Sequence, residues 1–293
     1  MSVDLIYQLQ RDDAFAEQFS ASEYSTFVAM PFSNRGGYPE ERIRKLLSTV
    51  HKLANQSLKP FTGTRKRPQF APLRRIDQMT SGAMVITDEI LRRILNSHFF
   101  FGDLTGCNFG VVLETGIGLA LKPNERVLLF TQDDTASLHF DLKVTNVNRY
   151  TEATLAAKLA AELVKAADAF ENEADRYIQL LSRQLTPDAI SALNIYGRLW
   201  KDRKQKKDQP SLWEDSAADY SPRFTNATGH LAFHDAVREL LTRRLFWTHY
   251  VPNASKGADA YGIHATALGW RVIEHLWNHD PKMRQPKNAP IHS

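Results

Sequence analysis

Two acidic residues in the segment 102–121 are the side chains best placed to do chemistry. Asp103 is predicted to end a buried strand, and Glu114 to lie about one turn inside the helix that follows. Two carboxylates near one pocket suit glycosidic chemistry, because one can attack or stabilise an oxocarbenium-like sugar carbon while the other holds a hydroxyl or manages a proton. The same spacing also fits a turn cap and a surface helix residue, so spacing alone leaves both interpretations open.

The surroundings of Glu114 favour a ligand. The loop 105–110 enters a predicted helix, and the amides at a helix N-terminus attract an anion or an oxygen-rich group. Small residues flank the glutamate and would leave space beside its carboxylate: Gly110, Thr115, Gly116 and Gly118.

The elements that must position these residues alternate between strand and helix patterns. Buried strands are predicted at 24–32, 98–104, 126–132 and 144–150, and helices at 40–56, 88–98 and 110–122. Residues 57–75 are basic and proline-rich, which predicts a loop with a short strand. This alternation predicts an α/β fold with a parallel sheet covered by helices on both faces. Ligands bind such sheets at the carboxyl ends of the strands.

The second half of the chain has a different character. An alanine-rich helix at 151–185 would close the first domain or bridge to the second, and its length suits an oligomer contact. Helices at 186–201 and 230–245, a hairpin at 246–269 turning at Pro-Asn-Ser-Gly, and a closing helix then resemble a winged-helix module. The expected organisation is an arm (1–22), an α/β domain (23–150), a connecting helix (151–185), a winged-helix-like domain (186–279) and a tail (280–293).

Composition narrows the class of protein. The 293 residues contain a single cysteine, Cys107, which excludes an intrachain disulfide and a multi-thiolate metal site. His230 and His234 have ligand spacing but lack an evident third ligand, so we expect no metal and no cofactor. The N-terminal residues do not read as a secretory signal, and no apolar run reaches the ~18–20 residues of a membrane span. We therefore expect a soluble cytoplasmic protein.

The charge is mildly basic. A net charge of +4 permits an anionic ligand or nucleic acid without requiring either. Five cations at 65–75 could clamp a phosphate, and a basic run at 198–207 could contact DNA phosphates. Both segments would also serve as solvated surface.

Four sequence motifs of a known family occur in the family's order over about 125 residues. They are FVAMPF (27–32), Arg75–Ile76–Asp77, DLTGCNFGVVLETGIGLAL (103–121) and FDLKVTNVNRY (140–150). With these motifs, residues 24–150 resemble the nucleoside 2-deoxyribosyltransferase-like family, a relative of the TIR-type NAD glycohydrolases. The family's Pro-Asn is replaced by Phe109–Gly110, and its Tyr-Glu-Leu-Gly by Leu113–Gly116, which bears on substrate identity more than on fold.

The resemblance implies a flavodoxin-like fold, with Glu114 as the nucleophilic or oxocarbenium-stabilising residue. Asp77 and Asp103 would hold ribose hydroxyls or position the substrate. Asn108 would orient the loop. The full set expected to bind substrate is Met30, Pro31, Phe32, Arg75, Asp77, Asp88, Thr105, Asn108, Gly110 and Asp141, of which the first three would line the floor.

The sequence thus supports two functional hypotheses. In the first, Glu114 and Asp103 catalyse cleavage or transfer of the N-glycosidic bond of a nucleoside, deoxynucleotide or NAD. In the second, the first domain is a nucleotide-sensing binding module, coupled to a winged helix that contacts DNA or protein. A homo-oligomer is expected in either case, since sites in this family are often completed by a neighbouring subunit.

Overall fold

A computed structural model describes residues 17–19, 21–31, 39–61, 66–75, 86–135, 146–203, 227–255 and 258–279. The chain divides into two compact units, residues 1–173 and 174–293. The division falls inside the long helix that the alanine-rich pattern predicts at 151–185, and this helix is observed at Glu152–Gln184.

The first unit alternates strands and helices. Its elements are β1 (Glu23–Tyr24), β2 (Thr26–Ala29), α1 (Glu40–Ser57), β3 (Gln69–Phe70), β4 (Arg74–Arg75), α2 (Ile86–Asn96), β5 (Phe99–Asp103), α3 (Phe109–Leu121), β6 (Val127–Thr131), β7 (Val147–Arg149) and most of α4 (Glu152–Gln184). Short 3₁₀ turns at Thr105–Cys107 and Asn124–Arg126 precede α3 and β6.

Five of these strands form one sheet in the order β4-β2-β5-β6-β7. Every pair is parallel, and the central strand β5 places Phe100 opposite both Phe27 of β2 and Val127 of β6. Taken in chain order, this is the 2-1-3-4-5 arrangement of flavodoxin-like sheets. The predicted α/β class with a parallel sheet is therefore confirmed. Strands β1 and β3 form a separate parallel pair.

The core explains why β5 and β6 are strands. Every residue of FFFGD and of VLLFT is buried, as expected for strands covered on both faces. On one face, Phe27 stacks on Phe100 with ring centroids 5.6 Å apart, beneath α2 and α3. Helix α3 comes unusually close, since a Cβ at Gly118 would lie 2.9 Å from the Phe100 ring. Gly102 of β5 gives a matching fit, because a Cβ there would lie 2.9 Å from Thr115 Oγ1.

Acidic residues of α4 hold that helix against the rest of the first unit. Asp168 accepts a 2.6 Å hydrogen bond from the buried Arg67, and Glu171 accepts one of 2.8 Å from the Tyr24 hydroxyl. Glu173 pairs with the buried Arg126. Burial, reinforced by the Glu171 carboxylate, raises the pKa of Tyr24. These links replace water as the partner of buried polar groups.

Two further basic groups are buried near the C-terminus of α2. His98 Nδ1 accepts from the Ser25 amide at 3.0 Å, so Nε2 carries the proton and donates to the Gln18 carbonyl, also at 3.0 Å. Burial lowers the pKa of His98 to about 4. Lys122 donates to the Ser97 carbonyl, and burial, with the nearby Arg126, lowers its pKa to about 7.

The second unit contains the end of α4, then α5 (Pro187–Arg203), α6 (Ala227–Thr242), the antiparallel strands β8 (Phe246–Ser255) and β9 (Ala258–Ala265), and α7 (Ala267–His279). The predicted hairpin is present, and only the start of its predicted turn is wrong. Strand β8 continues through Pro252 and Asn253, and its pairing with β9 shifts register between Val251 and Ser255. Such an irregularity accommodates a proline, which lacks the amide hydrogen that a ladder needs.

Candidate active site

The candidate site lies at the carboxyl edge of the five-stranded sheet. Because the strands are parallel, the residues that follow them emerge at one edge. Met30 follows β2, Tyr150 follows β7, and Asp103 is the last residue of β5. These positions bring together residues that are far apart in the sequence.

Asp103 is fully buried and organises this edge through its two carboxylate oxygens. Oδ1 accepts from the Thr105 amide at 3.1 Å and from the Thr105 hydroxyl at 2.6 Å. Oδ2 accepts from the Tyr150 hydroxyl at 2.7 Å. In this arrangement the carboxylate supports the loop after β5 and ties it to the end of β7. Its effect on a ligand would pass through Thr105 and Tyr150.

A second set of contacts attaches the end of β6 to the same network. The backbone amide of Gln132 donates to Thr105 Oγ1 at 3.0 Å, and its side-chain amide donates to the Tyr150 hydroxyl at 3.2 Å. Asp133 accepts from the Gly106 amide at 2.7 Å. Gln132, Asp133 and Tyr150 are not among the site residues predicted from the sequence. Their positions could have indicated them, because Gln132 and Asp133 are the first two residues after the buried strand β6 and Tyr150 is the first residue after β7.

The turn between β5 and α3 has a strained shape that fixes the start of the helix. Gly106 and Cys107 have φ angles of 69° and 47°, in the left-handed region. Asn108 then caps α3, since its side-chain oxygen accepts from the amides of Gly110 at 3.1 Å and Val111 at 3.3 Å. While this cap is formed, these two backbone amides donate to Asn108 and cannot donate to a bound anion.

Glu114 lies at the edge of the buried side of α3. It stands three residues after Val111 and four before Gly118, both of which face the sheet, and it is half-buried itself. Burial raises the pKa of Glu114 to about 7. Within the described part of the chain, its carboxylate has neither a hydrogen bond nor an ion pair. A carboxyl group desolvated without a compensating charge is characteristic of functional sites.

The small residues around Glu114 serve different purposes. Thr115 and Gly118 are buried against β5, and Gly110 carries the Asn108 cap, where a Cβ would lie 3.3 Å from Asn108 Oδ1. Only Gly116 among these four is exposed with nothing within 4 Å of an added Cβ. The expectation that all four leave space for a ligand is therefore wrong for Thr115 and Gly118, which close-pack the helix on the sheet.

The other residues expected to bind substrate are distributed more widely. Met30 and Pro31 are buried after β2, and Arg75 is buried at the end of β4, where Nη1 donates to the Pro31 carbonyl at 3.2 Å. Asp88 is exposed in the first turn of α2. Three members of the set lie outside the described residues: Phe32, Asp77 and Asp141.

The four described cations of the basic segment 65–75 do not form one cluster, and Arg65 lies outside the described residues. Arg67 is buried in its pair with Asp168, and Arg75 is buried against Pro31, whereas Lys66 and Arg74 are exposed. Within the described ranges, no three His, Cys, Asp or Glu side chains are grouped closely enough to hold a metal ion.

Comparisons with family models, curated proteins and solved structures find no match. No helix of the described ranges combines the length and apolarity needed to cross a membrane. The features of the described residues that bear on function are the Asp103 network at the carboxyl edge of the sheet and the desolvated Glu114 in α3.

Proposed function

We propose that the first unit cleaves or exchanges the N-glycosidic bond of a nucleoside, deoxynucleotide or NAD, with Glu114 as the reacting carboxylate. The observation that carries this proposal is the half-buried, unpaired state of Glu114, whose pKa burial raises to about 7. Such a group is partly ionised at neutral pH, and it belongs to the helix that follows the carboxyl end of β5, the end of a parallel sheet where ligands bind. The resemblance of residues 24–150 to deoxyribosyltransferase-like proteins supplies the bond type.

In the proposed reaction, ionised Glu114 attacks or stabilises C1 of the sugar while the bond from C1 to the base nitrogen breaks. The electron pair leaves with the base. Water then attacks C1 of the sugar in a hydrolase, or the nitrogen of a second base attacks it in a transferase. Desolvation suits this role, because a carboxylate with few water contacts interacts strongly with positive charge developing on the sugar.

The remaining residues would act around Glu114. The Asp103 network would position the Thr105–Asn108 turn, and with it the start of α3. Met30, Pro31 and Phe32 would form the floor, as the resemblance implies. Asp77 and Asp141 would contact the sugar or its substituents, and Asp88 would contribute from α2.

The direct test is incubation of the purified protein with NAD and with a panel of nucleosides and deoxynucleotides, followed by chromatography for free base. Release of nicotinamide or a nucleobase is expected, and Glu114→Gln should abolish it while ligand binding is retained. Glu125→Gln provides a matched control, because Glu125 is exposed on a turn outside the site. Absence of base release from every substrate, or equal activity of the Glu114→Gln variant, would contradict the proposal.

The order of elements in the second unit supports a second candidate function. Two helices, a hairpin and a closing helix favour a winged-helix-like module, so the first unit would sense a nucleotide for an output on DNA or a protein partner. Here wild type and Glu114→Gln should bind nucleotide equally, and neither should release base. Fluorescence anisotropy with duplex DNA, with and without nucleotide, tests the DNA arm. A homo-oligomer remains expected and is measured by light scattering.

A further inference from the structure

A groove of about 610 Å³ lies along the outer edge of the sheet, and Glu114 takes no part in it. One wall is a stripe of α1 formed by residues on successive turns: Glu40, Arg44, Ser48 and His51. The opposite wall is Pro72, Leu73 and Arg74, which lead into the edge strand β4. Leu73 is buried there, whereas both arginines are exposed.

The two arginines of this groove are available for a ligand. The side chain of Arg74 makes neither a hydrogen bond nor an ion pair within the part of the chain that the structure describes. Arg44 contacts Glu40 at 2.7 Å, but the two side chains are 70% and 61% exposed. Water screens such a pair, so Arg44 can exchange Glu40 for a better acceptor.

Two further polar side chains line the groove: the imidazole of His51, which a hydrogen bond holds in place, and the exposed hydroxyl of Ser48. His51 Nε2 lies 3.0 Å from the Phe70 carbonyl and must donate to it, because a carbonyl carries no proton. This contact holds the imidazole against the end of β3. Ser48 is exposed one turn from Arg44 and adds a hydroxyl donor.

We propose that this groove binds a small anion carrying phosphate groups. Guanidinium groups match phosphate oxygens in a two-pronged geometry, and Arg44 and Arg74 place one on each wall. The volume falls in the range of small-molecule sites. Glu40 acts as the resident counter-charge that the anion displaces. The site is independent of the proposed glycosidic function, because it shares no residue with the Asp103 network or Glu114.

The test is calorimetric titration of the full chain with inorganic pyrophosphate at low ionic strength, using the Glu114→Gln variant to separate this binding from any turnover. Arg44→Ala and Arg74→Ala should each weaken binding about tenfold, as expected for loss of one charge-assisted contact. Glu40→Gln should tighten it a few-fold, because it frees Arg44 and removes a like charge.

Two exposed residues of α1 outside the groove, Lys52 and Glu41, provide charge-matched controls. Lys52→Ala and Glu41→Gln should leave the Kd within about twofold, since isolated surface charges are screened. The proposal is overturned if pyrophosphate fails to bind, if Lys52→Ala weakens binding as much as Arg74→Ala, or if Glu40→Gln leaves binding unchanged.

Discussion

Replacing Glu114 by glutamine should stabilise the protein, and only above a defined pH. Burial raises the pKa of this carboxyl from its ordinary value of 4.5 to about 7 in the folded chain. Between these values the folded state keeps a proton that the unfolded state has lost, so the contribution of Glu114 to stability falls as the pH rises. Above about pH 7 the full cost of burying the charge is present, and below about pH 4.5 it vanishes.

The size of the effect follows from the difference in pKa. At about 1.36 kcal/mol per pKa unit, the raised value corresponds to roughly 3 kcal/mol. The side chain is still partly exposed, so solvent screening reduces this figure, and we expect Glu114→Gln to gain about 1–2 kcal/mol at pH 8. That gain corresponds to a rise of roughly 2–8 °C in Tm for a unit of this size.

The assay is denaturant and thermal unfolding of wild type, Glu114→Gln and the control Glu125→Gln from about pH 4 to about pH 9. The stability curves of wild type and Glu114→Gln should coincide in acid, separate between about pH 4.5 and about pH 7, and run parallel above that. Parallel curves across the whole range would refute the desolvated state of Glu114. If the glycosidic proposal also holds, turnover should rise through pH 7, since the reacting form is the carboxylate.

Three further predictions concern buried groups of the first unit. His98 is held neutral, so unfolding free energy should fall as the pH drops from about 6.5 to about 4, where the unfolded chain binds the extra proton; an NMR titration of its ring with a pKa near 6.5 would contradict this. Asp103→Asn should cost about 2–3 kcal/mol and Tyr150→Phe about 1 kcal/mol, with the double variant costing less than their sum by denaturant unfolding. Gly118→Ala should destabilise by about 1–3 kcal/mol, whereas Gly116→Ala should stabilise by up to about 1 kcal/mol; equal effects would exclude the close approach of α3.

Much of the first unit could be predicted from sequence because its signals are local. The runs 99–103 and 127–131 begin with three and four apolar residues in a row, and the helix predicted at 110–122 is found at Phe109–Leu121. Strand β4 is less visible, because its two arginines carry no apolar pattern and its place in the sheet comes from backbone pairing with β2. The hairpin turn was predicted to begin too early for a related reason, since a proline within β8 resembles a turn residue.

The positions of Asp103 and Glu114 on their elements were predictable, but their contacts were not. The pattern of a buried strand followed by a helix correctly placed Asp103 at the end of β5 and Glu114 within α3. The burial of Asp103 depends on Tyr150, which is 47 positions away, and on the register that brings β5, β6 and β7 together. Glycines 102 and 118 show the same limit, because their partners across the helix–strand interface are set only by the packed fold.

The steric fit of Phe100 between Gly102 and Gly118 means that the strand sets how far α3 stands from the sheet. The position of the Glu114 carboxylate therefore depends on Phe100, Gly102 and Gly118, which are buried between the helix and the sheet. A smaller side chain at position 100 should compensate for alanine at 118, so these positions should vary together in any mutational library. Substitutions at positions 100 and 118 could therefore be used to shift the glutamate without changing the residues next to it in the sequence.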